Sequence, residues 1–339
     1  MPSSWPCPIL ESKTVEQALE QVHLQITRNC NLRCWFCGQW GRHGFFSDAA
    51  GREMQLENWM KVIDELVEYR ALSGISPFVM VWGGEPLVSP YFDTIVETLH
   101  EKEFRVGMVT NGVLIDRHAE TIDRTVNQLF LSLDGPREIH DAIRGPGVFE
   151  TVLSNIVLLK KPRITVMSVV TPALLPVLPE FLEILNGTNI HELLLQDMIG
   201  LTSDEVRAYK EMMMTHFGQD ARNIESWENN GQLHFHEEVD AILAGYALST
   251  LGYDLVTKRH NLPGNPHCLS PFRHAHVTWN GDVTYCTDFY DFRAGNVKDT
   301  SLLAIFGNER SDAWRGLIAE GGCPTCRHCS WKNNTNYRG

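Results

Sequence analysis

The chain has 339 residues, 43% hydrophobic and 21% charged, which fits a folded globular protein with a sizeable core and an appendage. A formal charge of −13 sets an average field that repels polyanions, so no nucleic-acid partner is expected and a neutral or basic ligand is easier to accommodate. No apolar run approaches the roughly 20 residues of a membrane helix, and the opening MPSSWPCPILESK lacks an export signal, so no membrane partner and a cytoplasmic location are expected.

Residues 1–22 form an N-terminal extension, and the first strand is expected at His23–Thr27 (HLQIT), ending at a cysteine-rich loop. Leu56, Trp59, Met60, Ile63, Leu66 and Val67 then recur with helical spacing. Phe78–Trp82 (FVMVW) is a buried-strand run followed by GGEP, and Phe92, Ile95, Val96 and Leu99 mark the next helix. Strands at Arg105–Val109, Gln128–Leu133, Ile164–Val170 and Glu192–Gln196 follow, the first of them ending in TNG and the second in SLDG. Strands alternating with amphipathic helices predict an α/β fold, a partial (β/α)6 TIM-like barrel over residues 23–196. In such barrels the loops after the strands build the active face, and here those loops hold every unusual local motif. Residues 197–260 read as a helical connecting region, with helices around Ser203–Phe217 and His236–Leu251. Residues 261–339 are short strands, turns and cysteines, too irregular for a conventional core and expected to be ordered by bound metal.

The nine cysteines are unlikely material for a disulfide framework without an export signal; clustered thiols point to metal or catalysis. Cys30, Cys34 and Cys37 supply three thiolates in CxxxCxxC. Full protein ligation of a cubane cluster takes four cysteines, so three leave one iron open to chemistry. A zinc site completed by His43 is the alternative. CxxxCxxC after a first strand, with Phe36 before its last cysteine, resembles the radical S-adenosylmethionine (SAM) superfamily. The resemblance covers about residues 22–196 and implies a [4Fe–4S] cluster with an open site that binds SAM. GGEP at Gly83–Pro86 matches the family segment for the SAM amino group: Gly83 and Gly84 let carbonyls approach an ammonium, and Glu85 adds charge. SLDG, followed by His140, Asp141 and Arg144, resembles the part that reaches the ribose and carboxylate, with Ser132 as hydroxyl donor and Arg144 as carboxylate clamp. The plainer alternative pairs Arg144 with Asp141 at the surface, and Asn111 in TNG reads as a turn residue.

The second thiol group begins with CLSPFRHAHVTWNGDVTYC, where Asn280-Gly281 between β-prone runs signals a hairpin that brings Cys268 towards Cys286. Cys323, Cys326 and Cys329 follow. This region resembles the SPASM domain or its shorter form, the twitch domain. Five cysteines, where the full SPASM pattern has seven, imply one auxiliary [4Fe–4S] cluster on Cys268, Cys286, Cys326 and Cys329, with Cys323 as alternative ligand; a structural zinc site is the competing reading. Asp288, shortly after Cys286, resembles an aspartate proposed as the base in sulfatase-activating relatives, although its spacing differs by one residue; a turn aspartate is the plain alternative.

The resemblance implies an oxidoreductase. Reductive cleavage of SAM gives a 5′-deoxyadenosyl radical that abstracts hydrogen from a substrate C–H bond, with flavodoxin or ferredoxin as reductant. An auxiliary cluster favours net oxidation or cross-linking, first of a small peptide in natural-product maturation. The alternatives are a dehydrogenase or epimerase of a small polar metabolite such as an aminocyclitol or sugar, and a non-catalytic iron–sulfur electron carrier, against which the GGEP and SLDG segments argue.

Overall fold

A computed structural model describes residues 17–41, 44–46, 52–229, 235–258, 268–326 and 334–336. Strands β1 (Gln21–Thr27), β2 (Phe78–Gly83), β3 (Val106–Thr110), β4 (Gln128–Ser132), β5 (Arg163–Val170) and β6 (Glu192–Asp197) are the expected ones, with small shifts at their ends. They alternate with helices α1 (Leu56–Ser73), α2 (Phe92–Glu101), α3 (Ile115–Thr125), α4 (Arg137–Arg144), α5 (Val148–Ile156) and α6 (Leu178–Asn186). Two strands outside the expected six extend the parallel array: β7 (Asp254–Lys258) pairs with β6, and β8 (His274–Val277) pairs with β1. Antiparallel strands finish both margins, β9 (Asp282–Thr284) and β10 (Gly295–Asn296) beyond β8, and β11 (Asn334–Asn336) beyond β7. The order β10-β9-β8-β1-β2-β3-β4-β5-β6-β7-β11 does not close on itself.

Alternation along the strands separates a helix-covered face from a lumen. Val22, Leu24 and Ile26 of β1 are buried in one core with Trp59, Ile63 and Leu66 of α1. His23 and Gln25 point the other way, and the register places Met80, Trp82, Ser132, Gln196 and Lys258 on that same face. The lumen is therefore polar in part. Three histidines gather in it, His23 on β1 beside its register partner His276 on β8, with His274 two residues earlier. Burial lowers the pKa of all three, that of His274 to about 4.

The connecting region holds α7 (Ser203–Phe217) and α8 (His236–Ala244). Thr202 accepts from Glu205 N while Glu205 accepts from Thr202 N, a reciprocal cap that fixes the start of α7, and Gly218 ends it at φ +60°. The helix expected to reach Leu251 stops at Ala244, after which the chain makes a short turn and enters β7. In the tail, α9 (Ser270–Arg273) precedes β8, and the predicted Asn-Gly turn links β8 to β9 with Gly281 at φ +93°. Helices α10 (Leu302–Phe306) and α11 (Glu309–Ala319) complete the chain's packing. Leu302 N donates to buried Glu65 Oε2 at 2.6 Å, which fastens α10 to α1. No helix among the described residues is long and apolar enough to cross a membrane.

Candidate active site

The loops after β1, β2, β3 and β4 meet through named bonds. Gly84 N donates to Thr27 O at 2.9 Å and Glu85 N to Asn29 O at 2.8 Å, so GGEP is laced to the backbone immediately before Cys30. A Cβ on Gly83 would lie 2.5 Å from Thr27 O, and one on Gly84 2.3 Å from Asn29 O. Those glycines are thus required by backbone packing in this loop, a demand separate from any approach to an ammonium group. Glu85 is 1% exposed. Its carboxylate accepts from Leu87 N (3.2 Å), Thr110 Oγ1 (2.8 Å) and Asn111 N (2.7 Å). Burial pushes its pKa up to about 7 against the pull of these donors. The expectation that Glu85 offers charge to a ligand therefore meets a carboxylate already committed to joining two loops. Asn111 is more than a turn residue, since its Nδ2 donates to Asn31 Oδ1 at 2.8 Å inside the cysteine loop.

Arg144 pairs with Asp134 and not with Asp141, the partner of the plainer sequence alternative. Its Nε donates to fully buried Asp134 at 2.6 Å, and Nη1 lies 3.7 Å from Cys34 Sγ. Asp141 instead accepts from Gly147 N and Phe149 N, both at 2.8 Å, and so caps the start of α5. Burial opposes the Arg144 charge, but Asp134 and Cys34 outweigh it and push its pKa up. Ser132 ends β4 on the lumen face, half-buried.

The three thiols suit a cluster. Leu32 N points at Cys30 Sγ and Trp40 N at Cys37 Sγ, both at 3.4 Å, and Arg144 serves Cys34, so each sulfur already has a donor of the kind a thiolate uses. Burial pushes the Cys30 thiol up to about 12 and raises Cys34 despite Arg144, so a bound cation is needed to hold these sulfurs as thiolates. A profile described as Radical SAM superfamily matches residues 24–186, and one described as Iron-sulfur cluster-binding domain (SPASM) matches residues 268–330. The chain belongs to the radical SAM superfamily. Radical SAM enzymes use SAM with a [4Fe–4S] cluster, and the second match adds auxiliary iron–sulfur binding.

Among relatives, the chain is 23% identical to the tungsten-containing aldehyde ferredoxin oxidoreductase cofactor-modifying protein of Pyrococcus furiosus, over 94% of this chain and 89% of that one. It is 31% identical to the Fe-coproporphyrin III synthase of Methanosarcina barkeri, over 39% of this chain and only 31% of that protein. Among solved structures, Streptococcus suis SuiB superposes with a TM-score of 0.65 at 12% identity, covering 93% of this chain and 72% of SuiB. A SuiB structure bound to its precursor peptide SuiA gives a TM-score of 0.64 at 12% identity, over 92% of this chain and 72% of that one. These identities carry the fold.

The radical SAM enzyme's second thiol group gathers around Tyr209. Its hydroxyl is fully buried with no hydrogen-bond partner, and burial, Asp291, Cys323, Cys286 and Cys326 all raise its pKa. Cys323 is 7% exposed. The Cys326 side chain at hydrogen-bonding range, helped by Thr325 and opposed by burial, lowers its pKa to about 7. Ser270 Oγ donates to Tyr285 O at 2.7 Å, which ties the segment after Cys268 to the residue before Cys286, as the hairpin signal predicts. Cys329 and His43 lie outside the described residues.

Asp288 follows Cys286 by two residues. Its Oδ2 is sealed from solvent without a hydrogen-bond partner, and burial pushes its pKa up to about 6 against Lys258 and Thr287. Two aromatic residues with no sequence signature frame it. Trp227 Nε1 donates to Asp288 O at 2.9 Å, and its ring packs so tightly on Gly38, next to Cys37, that a Cβ there would be 2.4 Å away. Tyr290 stacks on Trp82 with ring centroids 5.8 Å apart, its hydroxyl buried beside Gln39. After burial itself, Asp288, Cys286 and Cys37 raise its pKa, so Tyr290 is near a thiol of each group.

Proposed function

We propose that this radical SAM enzyme is an oxidoreductase that removes hydrogen from, or cross-links, a peptide substrate. In this reading Cys30, Cys34 and Cys37 hold the SAM-binding cluster. Cys268, Cys286, Cys326 and Cys329 hold one auxiliary cluster, with Cys323 as alternative ligand. When bound, these groups and SAM supply a 5′-deoxyadenosyl radical and an acceptor for one electron. The chain's own residues orient and exclude: Gly83, Gly84 and Glu85 shape the loop for the SAM amino group, and Ser132 and Arg144 line its ribose and carboxylate side. Losing two hydrogens as one atom, one proton and one electron requires a base, and Asp288 Oδ2 is a buried, unpartnered acceptor two residues after Cys286, beside Tyr290 and held by Trp227, which packs on Gly38 next to Cys37. That placement is the observation that carries the reading, and a pKa near 6 suits a group that must be ionised first and protonated after.

The peptide assignment draws support from the likeness in fold to SuiB over 93% of the chain. A second reading, modification of a small polar metabolite or a cofactor, draws support from the Pyrococcus furiosus relative, aligned over 94% of the chain. An external reductant such as flavodoxin or ferredoxin starts either reaction. The test is anaerobic incubation of the reconstituted enzyme with SAM, reductant and, separately, the short peptides encoded beside its gene and a pool of aminocyclitols and sugars. A peptide product lighter by two hydrogens is expected. Asp288→Asn should keep 5′-deoxyadenosine formation but lower product formation at least about a hundredfold. Product of unchanged mass, or unchanged turnover in Asp288→Asn, would refute the oxidative role.

A further inference from the structure

The three lumen histidines include none of the residues assigned a role above. His23 and His276 are register partners on adjacent parallel strands, their rings stacked with centroids 4.1 Å apart. His274 joins them from the same face of β8. One ring nitrogen from each of the three falls within 4.8 Å of the others. His23 is 7% and His276 2% exposed, and His276 Nδ1 is buried with no hydrogen-bond partner. A buried imidazole nitrogen without a partner has lost its hydration with nothing in exchange, so its retention needs a reason.

The surrounding bonds set which nitrogens are free. Ser270 Oγ gives its proton to Tyr285 O, so towards His274 Nδ1, 3.4 Å away, it can only accept. His274 Nδ1 then carries the proton and Nε2 keeps its lone pair. Gln21 lies 2.7 Å from His23 Nε2. The atom placed there is the amide nitrogen; turning the amide over, which exchanges two groups of nearly equal size, makes Gln21 the acceptor of the Nε2 proton and leaves Nδ1 with a lone pair. Hydrogen bonds of this kind to the non-ligating nitrogen are how proteins orient metal-binding imidazoles.

We propose that His23, His274 and His276 bind a divalent transition-metal ion of borderline softness, such as zinc, that pins β8 to β1. Three imidazoles without a carboxylate select zinc and its neighbours over magnesium or calcium. Tetrahedral zinc with bonds of about 2.0–2.1 Å separates its ligand nitrogens by roughly 3.3 Å, so rotation of the rings about their own bonds closes the set. The fourth position goes to water. Because β8 lies between Cys268 and Cys286, the ion fastens the auxiliary-cluster segment to the first strand of the core.

The test uses full-length protein with its iron–sulfur clusters loaded, so that the cysteines are occupied, dialysed against zinc chloride and then metal-free buffer. About one zinc per chain is expected by mass spectrometry, with a zinc-edge absorption spectrum showing nitrogen or oxygen neighbours, imidazole outer-shell scattering and no sulfur. His276→Gln should abolish this zinc and leave the iron content unchanged. Sulfur in the zinc shell, no retained zinc, or zinc retained by His276→Gln would overturn the proposal. Should His276→Gln not fold, the wild-type spectrum decides alone. Neither measurement depends on SAM cleavage, so it stands or falls apart from the proposed reaction.

Discussion

A buried guanidinium needs a counter-charge, and Arg144 has one in Asp134, 2.6 Å from its Nε, with side-chain exposures of 10% and 0%. Asp134 in turn accepts from Val169 N at 3.0 Å, so one ion pair joins the loop after β4 to the end of β5. Truncating one partner of such a pair strands the other in a low dielectric. Arg144→Ala is therefore expected to cost about 3–5 kcal/mol in urea unfolding of the cluster-free chain. Asp134→Asn added to it should recover part of that loss, because the stranded charge is gone. A cost below about 1 kcal/mol, the value of an exposed pair, would show that the guanidinium serves only a ligand. Arginine as such was legible in the sequence, since it follows SLDG at the right distance. Its partner was not, because nothing in the order of residues distinguishes Asp134 from Asp141.

At the scale of elements, the β1 and β2 loops are one unit. Gly84→Ala places a methyl carbon where Asn29 O and Arg28 O already sit, at 2.3 and 2.4 Å, and backbone atoms at both contacts cannot swing aside as a side chain can. We expect this variant to keep its far-UV circular dichroism but to load only about four of about eight irons on reconstitution, the four of the auxiliary cluster. Full iron loading would mean that the cysteine loop tolerates the shift. The six expected strands were legible because each is a run of apolar residues bounded by turn signals. Strand β7 was not: Asp254, Thr257 and Lys258 make it look like a polar turn. It is a strand because the lumen takes up Lys258 and because Arg163 reaches Asp254 at 3.4 Å. Trp227 was equally silent, a lone aromatic in a polar stretch whose partner, Gly38, is far away in sequence.

Over the whole molecule, the loops that meet at Cys30, Cys34 and Cys37 come from β1 to β4, whereas the second thiol group belongs to the tail. Tyr290 is near a thiol of each, and Trp227 ties Asp288 to Gly38 beside Cys37. Replacing Cys268 and Cys286 together with Ala is expected to leave reductant-dependent 5′-deoxyadenosine formation measurable and to abolish product. Full product, or loss of SAM cleavage with the first cluster spectroscopically intact, would refute this division of labour. An open sheet makes such a site reachable, and it also leaves two outer rims of unpaired backbone. The strands that end them are short, two residues in β10 and three in β11. A foreign strand arriving at either rim finds too few amides in register to dock. The enzyme's own copies are thus kept from polymerising edge to edge into fibres.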